Sequence, residues 1–169
     1  MPETIRILTT GGTIDKVYFD AASAFKIGEP QVAAVLRDAN ITVPVKVTSL
    51  LRKDSLDITT RDRLVIRKNA ADCPERMVVI THGTDTMVET ARFLEGLSGK
   101  VIVLTGAMQP ALFRGTDAIF NIGAAVTAVQ ILPEGVHIVM NGRVFPPDSV
   151  RKNREANIFE ETENSREKG

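Results

Sequence analysis

The stretch MVVITHGTDTM, residues 77–87, decides the fold of this chain. Its first half is a β-branched apolar run that stops at small polar residues, as a buried parallel strand does when it ends in a turn. Apolar residues then recur at helical spacing from Met87 to Leu97. Ligands of open α/β sheets bind beyond the carboxyl ends of such strands, so Thr84 and Asp85 lie where chemistry takes place. The simpler interpretation is that one of them only caps the helix.

Further apolar runs along the chain predict four more strands and the helices between them. The strands are expected at residues 5–8, 41–47, 101–104 and 136–140, and the other helices at residues 31–39, 61–71 and 116 or 117 to 129. Asn141-Gly142 predicts a hairpin from the last of these strands into residues 143–145. The sequence therefore predicts a three-layer α/β fold, a doubly wound and mostly parallel sheet of the flavodoxin-like or Rossmann-like type, with a C-terminal β-hairpin.

A second polar turn, TTGGTI at residues 9–14, follows the first predicted strand. Its adjacent glycines let the backbone turn tightly, and Thr13 offers a candidate nucleophilic hydroxyl. A phosphate-cradling turn is disfavoured, because neither the P-loop lysine nor the full dinucleotide glycine pattern is present. Residues 50–58 are expected to form a third loop at the same edge. Residues 15–30 are expected to form a long lid or mobile loop.

Composition restricts the class of protein. The 169 residues are 43% hydrophobic, which is ample for one core, and 21 basic residues balance 21 acidic ones. A chain without net charge favours a small-molecule site over nucleic acid or an anionic membrane surface, and no run is long enough to span a membrane. Cys73 has no partner and no signal-peptide run is present, so a cytoplasmic location is expected. The expected domain is 1–159, with a charged, disordered tail at 160–169.

Two motifs in order, TGGTI at residues 10–14 and THGTDTM at residues 81–87, resemble the signature pair of the bacterial-type L-asparaginases. Asp54-Ser55, TGAM at residues 105–108 and VRKN at residues 150–153 extend the resemblance from about residue 5 to about residue 153. The resemblance implies hydrolysis of the side-chain amide of asparagine, often with some glutamine activity, through a threonine acyl-enzyme. It implies no cofactor and no metal.

The resemblance also implies roles for individual residues. Thr13 would be the nucleophile, and Thr84, Asp85 and Lys152 would form its activating relay. A lysine serves as a base only when its surroundings favour the neutral amine. Substrate-binding roles fall on Gly12, Ser55, Leu56, Gly83 and Ala107, with Ser55 at the substrate carboxylate and the Ala107 carbonyl facing the leaving amide. Taken alone, Lys152 reads as a solvated lysine and Ser55 as a turn or cap residue.

The chain departs from the family pattern at several points. Phe25 stands where the family has a loop tyrosine and cannot donate a hydrogen bond, so Tyr18 is expected to replace it in the catalytic set. Leu56 stands where the family often has an amide. The chain corresponds to the amino-terminal, nucleophile-bearing domain, and the smaller carboxyl-terminal domain is expected to be absent. His82 matches a signature residue that is not the base and is expected to have a structural or orienting role, whereas His137 is expected to be a core or edge residue.

The leading hypothesis is therefore an amidohydrolase that acts as a homodimer, with the site near the contact between subunits. A non-catalytic or weakly active small-ligand binding or regulatory domain is the alternative. A third possibility is the ammonia-supplying subunit of a larger amidotransferase, which co-purification would reveal.

Overall fold

The computed structural model of the protein describes residues 2–162. Its strands are β1 (Ile5–Gly11), β2 (Lys16–Phe19), β3 (Ala24–Ile27), β4 (Val45–Lys53), β5 (Met77–Thr81), β6 (Val101–Thr105), β7 (Gly135–Met140), β8 (Arg143–Phe145), β9 (Val150–Asn153) and β10 (Ile158–Glu161). Its α-helices are α1 (Val32–Asp38), α2 (Thr60–Asp72), α3 (Met87–Leu94) and α4 (Ala118–Ile131). No helix within the described residues is long and apolar enough to span a membrane.

Six of the strands form one sheet in the order β4-β1-β5-β6-β7-β8. The first five are parallel, and β8 returns antiparallel to β7 through Asn141 and Gly142. Both turn residues have positive φ, 54° and 72°, which is the conformation that an Asn-Gly hairpin turn requires. The predicted mostly parallel α/β sheet and its C-terminal hairpin are confirmed.

Helices cover both faces of this sheet and create two cores. Successive side chains of a strand point to opposite faces, so neighbouring residues of β1, β5 and β6 enter different cores. Ile7, Val79 and Val103 pack with residues of α1 and α4, whereas Leu8, Ile80 and Leu104 pack with residues of α2 and α3. Every residue of β5 and β6 is buried, as expected for central strands with continuous apolar sequences.

Helix α2 begins at a capping box that also anchors the end of β4. The Thr59 hydroxyl accepts the Asp62 N–H at 3.2 Å, and the Asp62 carboxylate accepts the Thr59 N–H at 2.9 Å. Lys53 donates to the same carboxylate at 2.8 Å. The hydrogen bond from Lys53, with those from Thr59, lowers the pKa of Asp62 to about 2. The loop between β4 and α2 is thereby held at both of its ends.

The predicted strand at residues 41–47 was placed too early. Strand β4 begins at Val45 and continues to Lys53, so residues 50–53 belong to the strand and not to a loop. The first strand likewise continues to Gly11. Strand β4 lies at the edge of the sheet and none of its residues is fully buried, so its polar end lacks the apolar run by which a central strand is recognised.

Two segments expected to be irregular contain strands. Residues 15–30 were predicted to form a loop, but β2 and β3 pair there as an antiparallel hairpin. The tail was predicted to begin at residue 160, but Glu160 and Glu161 belong to β10 and pair with β9. Charged side chains are tolerated there because β9 and β10 form a two-stranded sheet of their own. The rest of the predicted tail, from residue 163, lies outside the described residues.

A row of three threonines crosses the carboxyl ends of β1, β5 and β6 in register: Thr9, Thr81 and Thr105. The Thr105 hydroxyl donates to the Val139 carbonyl at 2.8 Å. The buried hydroxyls of Thr9 and Thr81 have no hydrogen-bond partner within residues 2–162.

We expect Thr81→Val to raise the free energy of unfolding by about 1 kcal/mol, because valine removes an unpaired buried hydroxyl at equal size. The matched variant Thr105→Val should lower it by about 1–2 kcal/mol, since the Val139 carbonyl loses its donor. Urea unfolding of both variants measures the difference. Equal destabilisation by both would show that the Thr81 hydroxyl has a partner.

Candidate active site

The polar turns after β1 and β5 meet at a contact between two glycines. Gly12 has a φ of +85°, and a Cβ on it would lie 2.5 Å from the Gly83 Cα. A side chain is therefore excluded both by conformation and by space. Thr13 and Thr84 are the next residues of the two turns and flank this contact. The structure thus brings together the two motifs that the sequence analysis singled out.

Ser55 joins this contact from the loop after β4. A Cβ on Gly83 would lie 2.5 Å from the Ser55 Cβ, and Thr86 donates its hydroxyl to the Ser55 carbonyl at 2.7 Å. Ser55 is 2% exposed. Sequence reasoning missed the role of Thr86, although the residue lies within the second motif. Three segments that are distant along the chain therefore meet at one point.

Lys152 is the cation of the site. Its Nζ donates to the Thr84 Oγ1 at 2.7 Å and to the Asp85 Oδ1 at 2.8 Å. Strand β9 carries Lys152 opposite Phe159 of β10, which is buried and so fixes the strand against the core. Lys152 is therefore held in position and is not a freely solvated lysine.

This arrangement can perform proton transfer. A lysine amine 2.7 Å from a hydroxyl can take up its proton once the amine itself is neutral, and the Asp85 carboxylate orients that amine. Arg154, which sequence reasoning missed, places its Nε 3.5 Å from the same carboxylate oxygen. Within residues 2–162, no group of three or more His, Cys, Asp or Glu side chains could hold a metal ion.

Thr13 lies in a single 3₁₀ turn, Thr13–Asp15, directly after the glycine contact. Its side chain is half-buried, and its hydroxyl makes no hydrogen bond to any residue that the structure describes. Lys152 contacts the Thr84 hydroxyl and not that of Thr13. The geometry alone therefore leaves two threonine hydroxyls as candidate nucleophiles. The Thr84 hydroxyl lies beside the lysine, and the Thr13 hydroxyl is free to contact a substrate.

The turn after β6 is held from the start of α4. The Asp117 carboxylate accepts the Met108 N–H at 2.9 Å, and the Asn121 side chain donates to the Gly106 carbonyl at 2.9 Å. Ala107 lies between these two anchored residues and is 1% exposed, with its side chain in the core. Asp117 was expected only as a possible helix start, so its bracing role was missed.

Comparison with known proteins accounts for this combination of turns and side chains. A family model described as "Asparaginase, N-terminal" matches residues 4–163. The chain belongs to the asparaginase family. This match covers every residue of the site described above, from the TGGTI turn to Lys152.

Individual asparaginases show the same likeness. The chain is 33% identical over 165 residues to L-asparaginase 2 of Escherichia coli, covering 91% of this chain and 47% of that protein. It is 33% identical over 163 residues to a glutaminase-asparaginase of Acinetobacter glutaminasificans, covering 86% and 48%. The crystal structure of L-asparaginase I from Vibrio cholerae matches with a TM-score of 0.83 and 25% identity, over 95% of this chain and 52% of that chain. The chain spans about half the length of the curated relatives it matches.

His82, within the second asparaginase motif, is a buried residue that contacts both the turn after β5 and helix α3. It is wholly buried, its Nδ1 lies 2.7 Å from the Gly83 carbonyl oxygen, and its Nε2 lies 2.8 Å from the Thr90 hydroxyl. Burial, aided by the charge of Arg63 and opposed by the Gly83 carbonyl, lowers the pKa of His82 to about 4. The neutral ring links the motif to α3, which fits the predicted orienting role.

His137, on β7, is half-buried, with its Nε2 3.0 Å from the Pro133 carbonyl oxygen.

Tyr18 makes no hydrogen bond to the other predicted site residues. Tyr18 pairs with Phe25 across the β2–β3 hairpin, their ring centroids lie 5.5 Å apart, and Phe25 packs on Phe113 at 5.6 Å. The Tyr18 ring is more than half exposed, and its hydroxyl has no hydrogen-bond partner among residues 2–162. The ring is engaged in an aromatic row along the hairpin and makes no hydrogen bond to Thr13.

Leu56 lies at the surface of the loop after β4. Its side chain is largely exposed, and only its N–H is engaged, donating to the Asp54 carboxylate at 3.1 Å. Burial opposes ionisation of Asp54, but this N–H and the Lys16 ammonium at 3.3 Å outweigh burial and lower the pKa of Asp54. The contact between Lys16 and Asp54 links the base of the hairpin to the Ser55 loop.

Asp15 anchors the base of the β2–β3 hairpin. Its backbone carbonyl accepts the Gly28 N–H at 2.8 Å, and its carboxylate accepts the Gln31 N–H at 2.9 Å. The side chain is buried. Burial raises the pKa of Asp15 from its ordinary 3.8 to about 6, against the opposing effects of the Gln31 N–H and the Arg52 charge.

We expect Asp15→Asn to stabilise the protein at pH 7 and to change little at pH 4. Because the folded-state pKa is raised, the free energy of unfolding of the wild type falls as the pH rises from about 4 to about 6. It stays at the lower value above that range. Asparagine retains an acceptor for Gln31 and cannot ionise, so the gain at pH 7 is up to about 3 kcal/mol. Urea unfolding of both proteins across this pH range measures the difference. A difference that does not vary with pH would contradict the raised pKa.

Proposed function

We propose that this chain hydrolyses the side-chain amide of L-asparagine, with glutamine or another small amide as a further substrate, through a threonine acyl-enzyme and without a cofactor. The observation that carries this proposal is the position of the Lys152 Nζ, 2.7 Å from the Thr84 Oγ1 and 2.8 Å from the Asp85 Oδ1. These side chains adjoin the glycine contact that joins the two asparaginase motifs.

In the proposed reaction, Thr13 Oγ1 attacks the amide carbon, and its proton passes by way of the Thr84 hydroxyl to the neutral amine of Lys152. Backbone N–H groups at the two turns stabilise the oxyanion that forms. The amide nitrogen then takes up the proton from Lys152, the C–N bond breaks, and the nitrogen leaves as ammonia. Water hydrolyses the resulting threonine ester, giving the free acid and restoring Thr13.

Substrate contacts are proposed for residues around this centre. Asp85 binds the α-ammonium group in addition to orienting Lys152, and Ser55 holds the α-carboxylate. The Ala107 carbonyl faces the leaving amide. Hydrogen bonds from Asn121 to Gly106 and from Met108 to Asp117 support this role, because they fix the preceding and following residues. Gly12 and Gly83 allow the substrate to approach the backbone closely.

The test is ammonia release by the purified chain from L-asparagine, L-glutamine and a series of small aliphatic amides. We expect asparagine to be hydrolysed with the highest kcat/KM. Ammonia release from none of them would contradict the proposed function.

The alternative is a small-ligand binding or regulatory domain built on the same site. The aromatic row of Tyr18, Phe25 and Phe113 favours it, because the Tyr18 hydroxyl makes no hydrogen bond to Thr13 or Thr84. Calorimetric binding of asparagine by a wild type that releases no ammonia would support this alternative.

Three further proposals concern the chain as a whole. We propose that the chain through the end of β10 forms one catalytic domain, that it acts as a homodimer with its site near the subunit contact, and that it is cytoplasmic. The location is supported by the single cysteine, Cys73, which cannot form an internal disulfide. Cell fractionation tests the location, and sedimentation across a dilution series tests the dimer.

A further inference from the structure

Lys152 lies outside the sheet whose turns carry its hydrogen-bond partners in the site. Thr84 and Asp85 follow β5 of the six-stranded sheet, whereas Lys152 belongs to the separate two-stranded sheet of β9 and β10. The distance of 2.7 Å between the Lys152 Nζ and the Thr84 Oγ1 therefore depends on how the β9–β10 pair is attached to the larger sheet. Burial of Phe159 holds the pair against the core, but a hydrophobic contact is non-directional and does not set the position of the backbone.

A directional link between the two sheets is the hydrogen bond from the Phe159 N–H to the Asn141 side chain. The Asn141 Oδ1 accepts this N–H at 2.8 Å, and Asn141 lies in the turn between β7 and β8 of the larger sheet. Phe159 stands directly opposite Lys152 in the β9–β10 pair. Opposed residues of an antiparallel pair carry their side chains on the same face. A displacement of Phe159 therefore moves Lys152 with it.

The Phe159 N–H is available for this contact because of its place in the β9–β10 ladder. Opposed residues of an antiparallel pair alternate between those that exchange two backbone hydrogen bonds and those that exchange none. The Thr162 N–H donates to the Ser149 carbonyl at 3.0 Å, three positions further along, which fixes this alternation. Phe159 and Lys152 are then a pair that exchanges none, so the Phe159 N–H faces outward from β10. Asn141 supplies the acceptor that a further strand would otherwise supply.

The backbone conformation of Asn141 does not by itself require this side chain. Its φ of +54° is one that glycine adopts more readily than asparagine, so glycine would satisfy the turn equally well. Glycine would lack the acceptor for β10. A second link between the two sheets, the ion pair of Arg143 with Glu161 at 2.6 Å, is exposed to solvent and so contributes little.

We propose that Asn141 is a positioning residue, whose side chain places β10 and, through Phe159, the Lys152 amine in the site. The effect on turnover rests on the proposed function, in which this amine is the base, whereas the placement itself can be tested without substrate. Displacement of a reacting group by about 1 Å lowers a rate by about 100-fold. Loss of the Asn141 acceptor should therefore lower kcat, while the contact proposed for Ser55 keeps KM near its wild-type value.

Two substitutions at Asn141 separate the acceptor from the turn. Asn141→Gly keeps a residue suited to positive φ and removes the acceptor, so we expect kcat to fall about 10–100-fold with KM within about three-fold of the wild type. Asn141→Asp keeps an acceptor and tolerates this conformation, so its kcat should stay within a few-fold of the wild type. Asn40→Gly is the matched control and should behave as the wild type, because Asn40 is exposed between α1 and β4 with a φ of +52°.

Acetylation of Lys152 measures its placement without turnover. Each protein is treated with a limiting amount of acetic anhydride, and peptide mass spectrometry gives the acetylation rate of Lys152 relative to the exposed Lys68 of α2. A Lys152 amine released from Thr84 and Asp85 is more accessible to the reagent. We expect its relative rate to rise about five-fold or more in Asn141→Gly and to stay at the wild-type value in Asn141→Asp and Asn40→Gly.

Unchanged acetylation of Lys152 or an unchanged kcat in Asn141→Gly would overturn the proposal, as would an Asn141→Asp variant that loses as much activity as Asn141→Gly. If the wild type releases no ammonia from any amide, the proposed function fails, and the acetylation rates alone decide the role of Asn141. Hydrogen exchange of the wild type, followed by NMR, keeps the test open if Asn141→Gly fails to fold. A Phe159 amide that exchanges as fast as an exposed amide would refute the proposal.

Discussion

Replacement of Thr13 by alanine should abolish ammonia release from asparagine and leave the fold intact. The acyl-enzyme cannot form without the hydroxyl, so we expect kcat to fall by about 10⁴-fold or more. The Thr13 hydroxyl makes no hydrogen bond to a described residue, so the free energy of unfolding should change by less than about 1 kcal/mol. Ammonia release and thermal unfolding are to be measured on the same preparation.

Two control variants sharpen this test. Thr13→Ser retains a hydroxyl and should keep measurable activity, while Thr60→Ala, at the exposed start of α2, should behave as the wild type. Undiminished ammonia release by Thr13→Ala would remove Thr13 from the role of nucleophile. Attention would then turn to Thr84, the hydroxyl that Lys152 contacts directly.

Substitutions of Asp85 and Lys152 should lower the activity of the enzyme in a non-additive way. The carboxylate orients the amine at 2.8 Å, so either Asp85→Ala or Lys152→Ala removes the same proton transfer. We expect each single variant to lower kcat/KM by about 10²–10⁴-fold and the double variant to lose little more. Arg154→Ala is the control, because an exposed ion pair at 3.5 Å contributes little, and it should stay within a few-fold of the wild type.

A full double-mutant cycle of kcat/KM values measures this coupling. If the loss in the double variant equalled the product of the two single losses, Asp85 and Lys152 would act independently. The relay would then be ruled out, whatever the size of each single effect.

The parts of the fold that the sequence predicted are those with an unambiguous apolar pattern. The central strands β5 and β6 are continuous apolar runs, and Asn141-Gly142 is a strong turn signal, so these features were found nearly to the residue. The β2–β3 hairpin was missed, because residues 15–30 show neither helical nor alternating periodicity. Its stability depends on tertiary contacts such as those of Asp15 with Gly28 and Gln31, which no local pattern reveals.

The candidate site residues that lie within a sequence motif could be predicted. Lys152 lies 67 residues from Asp85 along the chain, and only the family resemblance, not local spacing, placed the two together. Thr86 and Asp117 were missed because their hydrogen bonds join segments whose proximity follows from the folded sheet. The expectation for Tyr18 rested on a hydroxyl within reach of Thr13, but strand pairing sets this ring against Phe25.

The central claim is that Thr13 carries the acyl group, and mass spectrometry of the acid-quenched protein tests it most directly. During turnover of asparagine, the account predicts an adduct with the mass of an aspartyl group, located by proteolysis on the peptide that contains Thr13. The adduct should be absent from Thr13→Ala and lost from the wild type when substrate is exhausted. An adduct on the Thr84 peptide, or one that persists unchanged in Thr13→Ala, would contradict the account.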